Sequence, residues 1–259
     1  MAQRYFLEIA YKGTNYHGWQ AQENATLTIQ GELNRALGFI LRQQSVETVG
    51  SGRTDAGVHC KSQYVHFDAA KPIDNISKFI YSLNRCLPAD ILVKNCLPVH
   101  SHANARFSAL SRSYEYHITR EKDPFSKDLS YQFGYVLDVD TMNAAAALLL
   151  QYNDFQAFSK VKTDVKTFRC RIFYAYWEAT AKGYVFYIKA DRFLRGMVRT
   201  IVGSLLEVGL GKQTITDFQH IIESGDRKRA GRAVPPQGLF LCGVEYPAEV
   251  WLYNVVNLI

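Results

Sequence analysis

No CxxC pair occurs in this chain of 259 residues, and its five cysteines (Cys60, Cys86, Cys96, Cys170 and Cys242) are an odd number. Both facts speak against a zinc site and a disulfide framework, and for reduced thiols in the cytoplasm. No apolar run approaches the roughly 20 residues needed to span a bilayer. The first nine residues hold Arg4 and Glu8 and no long apolar stretch, so no secretory signal is expected. GxGxxG is absent, which leaves a dinucleotide site unsupported. The run Gly209-Leu210-Gly211-Lys212-Gln213-Thr214 resembles a phosphate loop, but Leu206 stands where its first glycine belongs and Gln213 where it needs Ser or Thr. None of the seven histidines begins an HxE, so a zinc-dependent base deaminase is excluded. His17 and His59 are expected to be structural or RNA-facing, not metal ligands. There is no basic tail and no Pro- or Gly-rich linker.

What the chain does have is an ordinary soluble composition, 47% hydrophobic and 21% charged, with 13% aromatics. The net charge is +6 and the pI about 9.0, a balance that favours anionic partners such as nucleic acid. Residues 1–110 and 111–259 carry +3 each, which fits a groove shared by two halves better than an appended arm.

Period-2 and period-3.6 patterns divide the chain. Tyr5–Tyr11 reads as a strand, and Ile29–Leu41 as a helix capped by Thr28. Val46–Val49 and Gln63–Phe67 follow as strands, Ile73–Leu83 as a helix and Asp90–Leu97 as a strand. That order is a split βαβ pattern. It partly recurs: strand Ser113–Thr119, helix Val139–Gln151 capped by Asp138 or Asp140, a hairpin of Arg171–Ala179 with Gly183–Ala190, helices Leu194–Val208 and Thr216–Ser224, and strand Gly238–Glu245. The expectation is an α+β protein of two similar ferredoxin-like or RRM-like halves, with antiparallel sheets flanked by helices. The halves meet near residues 105–112, giving domains of 1–108 and 109–259.

The sharpest local feature is Gly50-Ser51-Gly52-Arg53-Thr54-Asp55-Ala56-Gly57-Val58-His59. Three glycines in eight positions would let the backbone take positive φ and approach a ligand, with the Asp55 carboxylate beside Arg53. The same residues also suit a plain tight turn. Arg192, Arg195 and Arg199, spaced by three and four, suit a solvated helix face. Tyr114 alternates with Tyr116 and Ile118 as a core residue would. Two basic clusters, Lys160, Lys162 and Lys166 in one loop and Arg227, Lys228, Arg229 and Arg232 in another, could touch phosphates or be mere surface.

Residues 52–59, Gly-Arg-Thr-Asp-Ala-Gly-Val-His, resemble the signature of the TruA family of tRNA pseudouridine synthases. So do Tyr11-Lys12-Gly13-Thr14-Asn15-Tyr16-His17-Gly18-Trp19-Gln20, Leu83-Asn84 with Leu87–Ile91, and Ala105–Ala109 leading into Arg112–Tyr116. Asp154-Phe155 with Phe158, Met197–Gly203 and Gly238-Leu239 continue the likeness in order over nearly the whole chain. Cys60 stands where the family usually has a small residue, and Lys160–Cys170 looks like a branch-specific insert.

The resemblance implies a pseudouridine synthase fold with an active-site cleft between the halves and a reaction needing no metal or organic cofactor. It makes Asp55 the catalytic nucleophile, Arg199 its charge partner and Tyr114 the ring against the target base. Arg53, by position, suits a phosphate or intruding contact that keeps the flipped nucleotide out. The implied reaction is uridine to pseudouridine at neighbouring positions (38–40) of the tRNA anticodon arm, by a cytoplasmic homodimer whose tRNAs touch both subunits. The rival reading is a catalytically inactive RNA-binding module of the same fold.

Overall fold

The computed structural model describes residues 2–22, 27–161 and 165–252. Its chain forms two compact units, one of residues up to Leu110 together with those from Leu241 onward, the other Ser111–Phe240.

In the first unit, β1 (Gln3–Tyr11) lies between β4 (Ile91–Val99) and β3 (His59–Ala69), antiparallel to both, and β2 (Val49–Gly50) adds an antiparallel pair to β3. Helix α1 (Ile29–Leu41) begins where the Thr28 hydroxyl accepts the Gly31 amide at 3.2 Å, the cap expected from sequence. Its apolar stripe buries Ile29, Leu33 and Leu37 completely, at about 1.5–3 kcal/mol per side chain. Helix α2 (Ile76–Cys86) starts three residues later than its periodicity suggests. Asn75 caps it by accepting the Lys78 amide, and the amide of Ile73 is taken by the Tyr5 hydroxyl.

Alternation makes one face of β1 apolar through Tyr5, Leu7 and Ile9, yet Phe6 on the other face is also fully buried. The chain's return covers it: Tyr246 and Trp251 stand edge-on to Phe6 at 5.2 and 5.7 Å, beside Val99, Ala103 and Val250. Such edge-to-face aromatic pairs add about 0.5–1.5 kcal/mol each.

In the second unit, β8 (Gly183–Ala190) pairs antiparallel with β5 (Ser111–Thr119) and β7 (Ile172–Ala179), and the short β6 (Tyr131–Gln132) runs parallel to β5. Three helices follow the pattern: α3 (Val139–Leu148), α4 (Met197–Gly209) and α5 (Ile215–Ser224). Asp138, not Asp140, caps α3, and Thr214 with Asp217 makes a reciprocal capping box on α5. Strand β9 (Leu239–Glu245) closes the chain's strand order. The protein is thus mixed α+β with a mostly antiparallel sheet. Among the described residues no helix is long and apolar enough to cross a membrane.

Candidate active site

The Asp55 segment leaves β2 and enters β3 at His59, and residues 11–19 hold it from outside. The Trp19 amide donates to the Thr54 carbonyl at 3.1 Å, and the Gly57 amide to the Tyr16 carbonyl at 3.4 Å. The Tyr11 and Thr54 hydroxyls share a buried hydrogen bond of 2.8 Å. Inside the turn the Val58 amide donates to the Asp55 carbonyl. The approach is so close that Gly18, at φ +93°, has no room for a side chain: a Cβ there would lie 2.5 Å from the Thr54 carbonyl oxygen and 3.1 Å from the Asp55 carbonyl carbon. Trp19, only 1% exposed, packs its ring over Gly50.

Consequently the backbone of Asp55 is fixed from both sides while its side chain stays half-buried, between an inward Thr54 and an exposed Ala56. A carboxylate meant to meet an external substrate needs such a fixed origin. Arg53 is exposed one residue beyond Thr54. Of the three glycines expected to relax this loop, only Gly57 takes positive φ, at +77°. Gly50 is required by the Trp19 ring, and Gly52 by neither cause, since no described heavy atom lies within 4 Å of where its Cβ would be.

His59 is 1% exposed, and its Nδ1 accepts the Gly13 amide at 3.1 Å, which places the neutral ring's proton on Nε2. It is a structural brace between the two motifs. His17 is exposed, against the Leu27 carbonyl. Among the described residues no three His, Cys, Asp or Glu side chains gather closely enough to hold a metal ion.

In the second unit, Tyr114 lies on β5 opposite Ile188, 9% exposed, with the ring of Phe193 edge-on at 5.1 Å. Two residues along the same face, the Tyr116 hydroxyl donates to the Pro235 carbonyl at 2.8 Å. Arg199 is the third residue of α4 and half-buried. Its Nε donates to the Val234 carbonyl at 2.6 Å, while the Val234 amide donates to the Arg199 carbonyl at 3.1 Å. This pair of bonds fixes the guanidinium plane and uses the one N–H that a two-pronged carboxylate contact through the terminal nitrogens does not need.

The helical face expected of Arg192, Arg195 and Arg199 does not form. Gly196 takes φ +73° as the N-cap, so α4 begins at Met197 and the first two arginines precede it. In place of a helical turn, the Arg195 carbonyl accepts the Lys160 amide. Lys160 and Lys166 are exposed; Lys162, Thr163 and Asp164 lie outside the described residues. Gly209–Gly211 ends α4 rather than cradling a phosphate, with Gly211 at φ +69°.

Asp55 and Arg53 therefore share one braced loop of the first unit, and Tyr114 and Arg199 belong to the second. Sequence reading missed the supports: Tyr11, Trp19 and Gly18 around the aspartate, Phe193 beside Tyr114 and Val234 behind Arg199. Tyr11, Gly18 and Trp19 lie in the quoted motif, which was the available signal. A backbone carbonyl such as that of Val234 leaves no trace in residue type.

Comparison with known proteins adds a family. A model described as tRNA pseudouridine synthase matches residues 9–108 and 145–247, well over half of the chain. The tRNA pseudouridine synthase A of Parabacteroides distasonis is 48% identical over 248 residues, covering 96% of this chain and 98% of that one. Its namesake from Bacteroides fragilis is 49% identical over 251 residues, with 96% and 98% covered. A more distant one, from Caldicellulosiruptor bescii, is 38% identical over 242 residues, with 93% and 98% covered. This chain belongs to the tRNA pseudouridine synthase family.

Proposed function

We propose that the Asp55 carboxylate is the nucleophile through which this chain isomerises uridine to pseudouridine in tRNA. The reaction exchanges the glycosidic bond from C1′ to N1 for one from C1′ to C5. The C1′–N1 bond breaks with N1 remaining in the uracil, the base turns and rejoins C1′ through C5, and the proton lost from C5 is matched by the one N1 takes up, so no atom is gained or lost overall.

A base inside a stem must leave its stack first, and an aromatic face returns about 1–3 kcal/mol of stacking. Tyr114, held edge-on by Phe193, is that face in this reading. Arg199, its plane set by Val234, is the cation that pairs with the Asp55 carboxylate in this reading. Arg53, exposed beside Asp55, holds a phosphate or intrudes where the nucleotide leaves. The substrates are the neighbouring uridines of the anticodon arm, bound in a cleft between the two halves. The working form is a cytoplasmic homodimer, each tRNA touching both subunits.

The observation that supports this reading best is the braced loop, whose elaborate outside support serves a single half-exposed carboxylate. The test is to incubate the protein with unmodified tRNA and map pseudouridine, using wild type, Asp55→Ala and Asp55→Asn. Wild type forms product in the anticodon arm, and neither variant does while both still bind tRNA. Product formed by the Asp55→Ala variant would overturn the assignment.

A further inference from the structure

The loop after α5, residues 225–235, combines two properties that sequence alone does not connect. Its backbone is pressed against α4. The Gly231 amide donates to the buried Ser204 hydroxyl at 2.9 Å. Val234 exchanges bonds with Arg199. A Cβ on Gly203 would lie 1.8 Å from the Arg232 carbonyl, so only glycine permits this approach. Arg227 turns inward and closes the loop on itself, its Nη1 donating to the carbonyls of Ala230 and Gly231 at 3.2 Å each. The exposed Asp226, the one carboxylate of the loop, accepts the Lys228 amide through Oδ1 and the Arg229 amide through its backbone carbonyl.

The side chains that remain, Lys228, Arg229 and Arg232, are all exposed on this fixed backbone. Three cations against one carboxylate, on a loop too firmly bonded to fold away, favour a partner with regularly spaced negative charge. The geometry points to a phosphate-binding arm: Lys228, Arg229 and Arg232 hold the sugar–phosphate backbone of the RNA substrate, in fixed register with Arg199 through Val234. The inference rests on the tRNA reading above and deepens it. Fixing the backbone beforehand reduces the ordering that binding would otherwise cost. Phosphate contacts set position, not sequence, so the arm serves any tRNA that presents its backbone there.

The test compares Lys228→Gln/Arg229→Gln/Arg232→Gln with a control of equal charge loss, Lys71→Gln/Lys78→Gln/Lys122→Gln, all three exposed. Affinity for unmodified tRNA is measured by fluorescence anisotropy over a range of salt. Each neutralised phosphate contributes close to one unit of slope in log affinity against log salt. The arm variant is expected to lose roughly two to three units of slope and roughly 10- to 100-fold in affinity at moderate salt. The control loses much less. Wild-type slope and affinity in the arm variant would overturn the inference, and so would an equal loss in the control. The measurement does not require turnover: if wild type bound tRNA but formed no pseudouridine, the isomerase assignment would fail, while the slope change would still uphold the arm.

Discussion

Replacing Gly18 by alanine probes whether the loop's outside support positions Asp55. The added Cβ meets two separate obstacles. At φ +93° a non-glycine residue is strained by about 1–2 kcal/mol. The Cβ would also sit 2.5 Å from the Thr54 carbonyl oxygen, where ordinary contact begins at 3.4 Å. Relief therefore moves the two strands of backbone apart by roughly 1 Å, and such overpacking costs about 1–3 kcal/mol more. Together this is about 2–5 kcal/mol, which lowers the melting temperature by roughly 5–15 °C at the sensitivity of proteins near this size.

What moves is the backbone on either side of the Asp55 carbonyl, so the carboxylate moves with it. Misplacement by about 1 Å can reduce turnover about 100-fold. The assay is pseudouridine formation at saturating tRNA, well below the variant's melting temperature, paired with thermal unfolding. Gly52→Ala is the internal comparison, since its Cβ would enter open space at ordinary φ. That variant should melt within about 2 °C of wild type, in line with a surface change of under about 0.5 kcal/mol. A Gly18→Ala protein that turns over within threefold of wild type would refute the argument that this contact sets Asp55.

Arg199→Lys tests the guanidinium's two tasks. Lysine can bond the Val234 carbonyl but cannot also present a fork to a carboxylate, so turnover should fall at least 10-fold with little change in tRNA affinity; equal turnover would show that a point charge suffices. Tyr114→Phe should keep most activity, while Tyr114→Ala forfeits about 1–3 kcal/mol of stacking, or roughly 5- to 150-fold, in single-turnover rates. Burial, and then the charge of Arg4, hold the His66 imidazole down at about 4, from an ordinary 6.5. Its Nδ1 accepts the Ala105 amide, which requires the unprotonated ring. The unfolded chain then takes up a proton that the folded chain refuses, so stability is full above pH 6.5 and falls as pH drops towards 4, by about 1–3 kcal/mol after solvent screening. Urea midpoints near neutral pH and near pH 4.5 should differ less in His66→Asn, which keeps an acceptor but cannot titrate.

Where local chemistry decides an element, the sequence was legible. Thr28 caps α1 as its residue type suggests, and β5, β7 and β8 fall within two residues of their alternating patterns. Departures arise where a distant group overrides periodicity. The Tyr5 hydroxyl takes the Ile73 amide and leaves Asn75 to begin α2. A left-handed Gly196 delays α4. Strand β3 runs the whole of His59–Ala69, because His59, Gln63 and His66 are buried polar residues that an apolar count passes over.

The family was legible because its motifs extend along the chain, and relatives at 48% identity bear it out. Asp55 could be singled out by that likeness and Arg53 by its position beside it, but not the braces. The bond from Trp19 to Thr54 joins main-chain atoms 35 positions apart, and main-chain atoms are the same in every residue.

The first unit is assembled from two segments far apart in the chain, and this sets an order for its making. A ribosome releases Phe6 and Tyr64 long before Tyr246 and Trp251, the rings that will cover them. Ser111–Phe240 is one uninterrupted stretch, able to complete its own core during synthesis. The braced loop thus waits in a sheet whose second face stays bare until Tyr246 and Trp251 emerge.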